Sequence, residues 1–192
     1  MANQTLVRVN KYSDKIKELP ITKRISVDYP LLCRDDVVKK LASIANKLPG
    51  NLFLQVDSAY RTKATEKFLW NLRKDTLPWL AQNPQNGHSS HNTGGTVDVS
   101  LADEMGKEIN LSEPFQKYYE EPQLISEKIT PRAQELRILL NKVMVEEGFS
   151  PNPKEYWHFS SGKIYEEIEL PKNQYYPLYL RLFFRVLLRL KK

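Results

Sequence analysis

The chain has 192 residues, of which 41% are hydrophobic and 27% charged, enough to bury a single core and too apolar for a disordered protein. One cysteine, Cys33, excludes an internal disulfide framework and any CxxC metal or redox site, and leaves a small buried hydrophobe as its expected role. The net charge of +6 resides in residues 171–192, which hold six Lys or Arg and no acid. Residues 1–170 carry 23 charges of each sign and lack the basic excess of a nucleic-acid-binding surface.

The first 25 residues mix charge and polarity and have no apolar signal-peptide core. No stretch reaches the ~20 apolar residues that cross a bilayer, so the expected compartment is cytoplasmic. Residues 35–48 place Val37, Val38, Leu41, Ile44, Ala45 and Leu48 at helical spacing behind Asp35 and Asp36, and Pro49-Gly50 ends that helix. Residues 51–57 alternate as a strand, and a second helix is expected over 63–73. Asn83-Pro84 and Asn86-Gly87 mark a loop. From Thr96 to Leu101 the alternation is strict, with Val97, Val99 and Leu101 on one face and Thr96, Asp98 and Ser100 on the other. Thr130-Pro131 is an N-cap with Pro at the first helical position, followed by an apolar stripe from Leu136 to Met144, and Gly148 stands where a C-cap belongs. A last strand is expected over 155–160. Helices and strands intermix without a βαβ rhythm, which predicts an α+β fold: one domain over 1–170 with a central, largely antiparallel sheet flanked by helices, and a basic amphipathic tail over 171–192.

Two stretches carry the residues for chemistry. In Ser89-Ser90-His91-Asn92-Thr93-Gly94-Gly95-Thr96-Val97-Asp98, a Gly-Gly turn can fold His91 back toward Asp98 on the polar face of the following strand. An imidazole and a carboxylate suit Zn²⁺. Glu155-Tyr156-Trp157-His158-Phe159 supplies a second imidazole, with aromatics that pack around it. Two His and one Asp leave a fourth zinc position open, the arrangement of a catalytic site, and a nearby carboxylate such as Glu155 can then take a proton from water. Residues 155 and 158 point to opposite faces of a regular strand, so their cooperation requires a bend or bulge. Arg61, in Ser58-Ala59-Tyr60-Arg61 at a strand end, can stabilise an oxyanion. His88 precedes His91 by three residues but lies among loop-forming residues, and is read as a loop residue and not a ligand.

The order S-x-Y-R, then S-x-H-x-x-G-x-x-x-D, then E-x-W-H resembles the VanX-type zinc D-alanyl-D-alanine dipeptidases. It is also similar to the wider group of VanY-type DD-carboxypeptidases and the Hedgehog-like fold. The resemblance spans roughly residues 30 to 165. It implies one zinc per chain held by His91, Asp98 and His158, Glu155 as catalytic base, Arg61 as transition-state stabiliser, and Ser89 and Ser90 near the substrate's termini. The implied reaction is hydrolysis of D-Ala-D-Ala to two D-alanines, with a small peptide of D-amino acids as partner. Family dipeptidases carry an aspartate at the position of Asn110, where it helps hold the dipeptide's ammonium; Asn110 supplies no negative charge. That departure keeps open a DD-carboxypeptidase acting on longer peptidoglycan stem peptides. A non-catalytic, zinc-stabilised module attached to a membrane or partner through its tail is the reading from another class. In that tail, ten of the 13 residues from Leu178 to Leu190 are apolar or aromatic, with Arg181, Arg185 and Arg189 at every fourth position. As a helix it reaches ~20 Å, too short for a ~30 Å hydrocarbon core, and three uses stay open: packing on the domain, lying on an anionic membrane surface, or docking a partner or a second copy of itself.

Overall fold

A computed structural model of the chain describes residues 5–20, 23, 30–87 and 89–170. His88 and the tail 171–192 lie outside the described residues. Among those described, no helix is long and apolar enough to cross a membrane.

Among the described residues, three α-helices and seven strands make an α+β domain. Helix α1 (Asp35–Lys47) buries Val37, Val38, Leu41, Ile44 and Ala45, the face set by the apolar spacing. It leads into strand β4 (Phe53–Ser58), after which α2 (Lys63–Arg73) starts at Thr62, whose Oγ1 accepts the Thr65 N–H at 3.2 Å. Strand β5 (Thr96–Ala102) is buried along its whole length. Helix α3 (Pro131–Glu146) starts at the Thr130 cap. It stops in a Schellman turn in which Gly148, at φ 75°, donates to Val145 O and Phe149 donates to Met144 O. Strand β7 (Glu155–Ser160) follows a short β6 (Ser150–Asn152).

The main sheet runs β2 (Ile16–Glu18), β4, β5, β7, β6. The β4–β5, β5–β7 and β7–β6 pairs are antiparallel, and β2 alone lies parallel to its neighbour β4. Strands β1 (Leu6–Arg8) and β3 (Leu32–Arg34) form a separate antiparallel pair, in which Cys33 is fully buried. One face of the sheet supplies Leu54, Val56, Val97, Val99, Leu101 and Phe159 to a core shared with α1 and α3. The opposite face of β5 carries Asp98 and Ser100 into a cleft, with Thr96 on the same face bonded to Ser160.

Two irregularities in the ladders serve that cleft. Between the pairs Val56↔Val99 and Ser58↔Asp98, β4 holds one extra residue, Asp57, so Asp57 and Ser58 both line the cleft although they are consecutive. On β7 the register jumps from Pro151↔Phe159 to Asn152↔Glu155. That break cancels the two-residue alternation that would send Glu155 and His158 to opposite faces, and both line the cleft.

Candidate metal centre

Backbone pairing assembles the site. Asp98 and His158 are direct partners across β5 and β7, so their side chains share a face, and His158 Nδ1 donates to Asp98 Oδ1 at 2.9 Å. His91 arrives by a different route. It sits in a 3₁₀ turn, Ser90–Thr93, that Gly94 closes at φ 72° with its N–H on His91 O. A Cβ at Gly94 would meet Leu6 Cδ2 at 2.6 Å and one at Gly95 would meet the Tyr165 ring at 2.5 Å, so the Gly-Gly pair admits the close approach that returns the chain to β5. The turn is then tied to the segment after β4. Arg61 N–H donates to His91 O, Asn92 Nδ2 to Arg61 O, and His91 Nδ1 to Ala59 O at 2.7 Å.

That last bond fixes the His91 tautomer and turns Nε2, with its lone pair, toward Asp98 Oδ1 at 3.4 Å. Burial, with the Arg61 charge, holds His91 below the ordinary histidine pKa and hence neutral. Its Nε2 is the one fully buried side-chain polar atom without a hydrogen-bond partner among the described residues. An orphaned acceptor facing a carboxylate oxygen is costly unless a cation stands between them. One ligand atom from each of His91, Asp98 and His158 lies within 4.8 Å of the others. Bonds of ~2.0–2.1 Å at tetrahedral angles put ligand atoms roughly 3.3 Å apart, so this donor set fits a divalent ion. Burial alone would raise the Asp98 carboxyl; the Arg61 guanidinium and the His158 hydrogen bond outweigh it and keep Asp98 well below the usual carboxylate range.

The centre forms part of the wall of a cleft of about 930 Å³. Glu155 Oε2 lies 3.7 Å from His158 Nδ1 and accepts from Asn152 Nδ2 at 3.3 Å. Burial and the Asp98 charge raise its carboxyl above the usual range, against the pull of His158, Arg61 and Arg73. Arg61 is held on three sides: Nε on Ser58 Oγ at 2.8 Å, Nη1 by Glu66 at 3.4 Å and Nη2 on Asp98 Oδ2 at 2.6 Å. Ser89 and Ser90 line the cleft beside His91, and Ser89 Oγ accepts the His91 N–H. Asn110 also lines it, but its amide is engaged in its own loop, Nδ2 on Phe115 O and Oδ1 accepting the Ser112 N–H. Tyr156 and Trp157 are buried next to His158, with Tyr118 packed edge-on against Trp157 at 4.7 Å. Sequence reasoning missed Glu66, Arg73 and Tyr118, which line the same cleft.

A family model described as D-ala-D-ala dipeptidase matches residues 31–176, which is most of the chain. The chain belongs to the D-Ala-D-Ala dipeptidase family of peptidases. Its sequence is 30% identical to the D-alanyl-D-alanine dipeptidase of Escherichia coli over 148 residues, covering 77% of this chain and 70% of that protein. It is 31% identical to the Synechocystis D-alanyl-D-alanine dipeptidase over 83 residues, 38% of this chain and 34% of that one. A member of this peptidase family is a hydrolase, which fits a deep cleft with a candidate His–Asp–His metal site on its wall.

In this family member Asp57, the extra residue of the β4 bulge, is a second carboxyl of unusual acidity. Burial pushes it up to about 8, although Gln55 Nε2 and Ser100 Oγ both donate to its Oδ1. Between the ordinary value of 3.8 and that raised value, the folded chain holds a proton that the unfolded chain has released. Stability therefore falls as pH rises through this window and the contribution is lost above it. Asp57→Asn keeps the acceptor and imitates the neutral acid. Its stability relative to the parent is expected to rise by ~1–3 kcal/mol from pH 5 to pH 9. Urea unfolding at the two pH values checks this; equal effects at both would contradict it.

Proposed function

We propose that the protein is a zinc-dependent dipeptidase that hydrolyses D-Ala-D-Ala to two D-alanines, with one zinc per chain held by His91, Asp98 and His158. The observation that carries this reading is the buried, unpartnered His91 Nε2 aimed at Asp98 Oδ1. A zinc ion so held supplies Lewis-acid polarisation of the scissile carbonyl and makes a water acidic near neutral pH. The remaining work falls to this chain's own groups. Glu155 removes the proton of the attacking water and delivers it to the departing amine, a role supported by its raised basicity and its approach to His158. Arg61 holds positive charge against the developing oxyanion, supported by the Ser58, Glu66 and Asp98 contacts that fix its guanidinium. Ser89 and Ser90 contact the substrate from the turn that carries His91. Burial of Tyr156 and Trp157 keeps the flank of His158 dry.

Asn110 favours a second reading. With both amide atoms engaged locally and no charge, it leaves the substrate's ammonium without the expected anion, which suits an acylated stem peptide better than a free dipeptide. Hydrolysis of D-Ala-D-Ala compared with N-acetyl-D-Ala-D-Ala separates the two. The dipeptidase reading predicts a kcat/KM at least tenfold higher for the unblocked dipeptide. A preference of that size for the acetylated form assigns the protein to DD-carboxypeptidase chemistry instead.

A further inference from the structure

A guanidinium taken out of water normally comes with a carboxylate or with enough carbonyls to satisfy its donors. Two buried arginines obey this rule. Arg61 faces Glu66 and Asp98, and Arg137 donates to Leu111 O, Gln123 O, Glu121 O and Ser112 Oγ. Arg73 does not. It is the last residue of α2, only 8% exposed, and its side chain lines the cleft. Its Nη1 donates to Leu80 O at 2.9 Å, and Tyr118 lines the same cleft. That one partner leaves most of its five N–H groups unused. Among the described residues no carboxylate lies within 4.0 Å of it, and none of its nitrogens is both sealed from solvent and unpartnered, so the unused donors open into the cleft.

Arg73 belongs to the reaction centre's side of that cleft. Its charge acts on Glu155 together with that of Arg61, and Tyr118 senses Arg73, Arg61 and Asp98. The cleft thus holds a guanidinium in the same lining as the candidate base, with no carboxylate paired to it among the described residues. A substrate cut at its last peptide bond brings one: the C-terminal carboxylate. A planar guanidinium fork receives a carboxylate in two parallel charge-assisted bonds, and a neutral amide in its place gives up the charge and one acceptor. We infer that Arg73 anchors the free C-terminal carboxylate of the substrate and so restricts the enzyme to removing a terminal residue. This rests on the hydrolase reading but holds for the free dipeptide and for a longer stem peptide alike, since both end in that group.

The test compares D-Ala-D-Ala with its C-terminal amide on the zinc-loaded protein, on Arg73→Ala and on Arg73→Lys. A thermal melt verifies that each variant is folded, and Arg73→Lys keeps the charge should the alanine variant fail to fold. Turnover is followed as kcat and KM separately. Binding of the same two ligands is measured by calorimetry in a Glu155→Ala background, which needs no hydrolysis. Wild type is expected to favour the acid. Arg73→Ala is expected to raise KM for the acid roughly tenfold to hundredfold, with a much smaller effect on kcat, and to erase the preference over the amide in both assays. Arg73→Lys is expected to keep part of the preference. Equal losses for acid and amide, or an acid KM unmoved by either substitution, would overturn the assignment. Absence of turnover in wild type with acid-selective, Arg73-dependent binding intact rejects the hydrolase reading while upholding the carboxylate anchor.

Discussion

Glu155→Ala is expected to lower kcat by about 10²–10⁴-fold while the protein retains its zinc. The two parts of this expectation come from different groups. The candidate ligands are His91, Asp98 and His158, so removing Glu155 takes away none of them. What disappears is the half-buried carboxylate 3.7 Å from His158 whose raised basicity suits it to accept a proton and return it. KM should change little, because a proton carrier acts in the transition state more than in binding. Glu155→Gln is expected to behave like the alanine variant, since an amide preserves the shape and not the basicity. Kinetics with metal quantified on the same preparation decides the matter: near-full turnover in either variant would remove Glu155 from the mechanism, and loss of zinc along with activity would make it a metal-site residue.

The second large effect concerns folding. Arg137, on α3, is 1% exposed and stacks 3.8 Å above the Tyr156 ring. Its Nε donates to Leu111 O at 2.7 Å and its Nη2 to Ser112 Oγ at 2.8 Å and Glu121 O at 2.9 Å, with Nη1 on Gln123 O. One side chain therefore pins both ends of the 111–123 segment, which carries Tyr118 and Tyr119 into the cleft wall. Arg137→Met keeps volume but takes the donor from two buried carbonyls, Leu111 O and Glu121 O. A loss of ~2–5 kcal/mol is expected, at ~1–3 kcal/mol for each buried carbonyl left unsatisfied. Arg137→Lys is expected to recover little, because an ammonium cannot reproduce the planar fork. Urea denaturation measures both variants, and a loss below ~1 kcal/mol would show that the loop is held by other contacts.

Where a period ran long enough, the sequence was readable. Thr96–Ala102 alternates over seven residues and is the central strand, and the α1 stripe gives that helix its buried face. The Gly-Gly turn and the downstream Asp98 were sufficient to anticipate the return of His91, and the phase conflict between Glu155 and His158 foretold the break in β7. Strands β1, β2, β3 and β6 were not legible, since three residues carry no periodicity. Nor was the bulge at Asp57, which depends on pairing with β5. The charged residues tell a subtler story. Glu66 and Arg73 share a helical face with buried Leu69, and Arg137 is in phase with Ala133, Leu140 and Met144. Their spacing was visible, but charge at an apolar phase reads as surface until a cleft or a loop is there to receive it. Asn110 was readable as a missing charge; that its amide is engaged within its own loop was not.

The central claim is that one divalent ion is shared by His91, Asp98 and His158, and zinc titration by competition calorimetry, with elemental analysis of the same samples, tests it most directly. The account predicts one equivalent of zinc per wild-type chain, and His91→Ala, folded by circular dichroism, that no longer binds zinc stoichiometrically under the same conditions. Undiminished zinc affinity in folded His91→Ala, or no zinc in the wild-type protein, would contradict it.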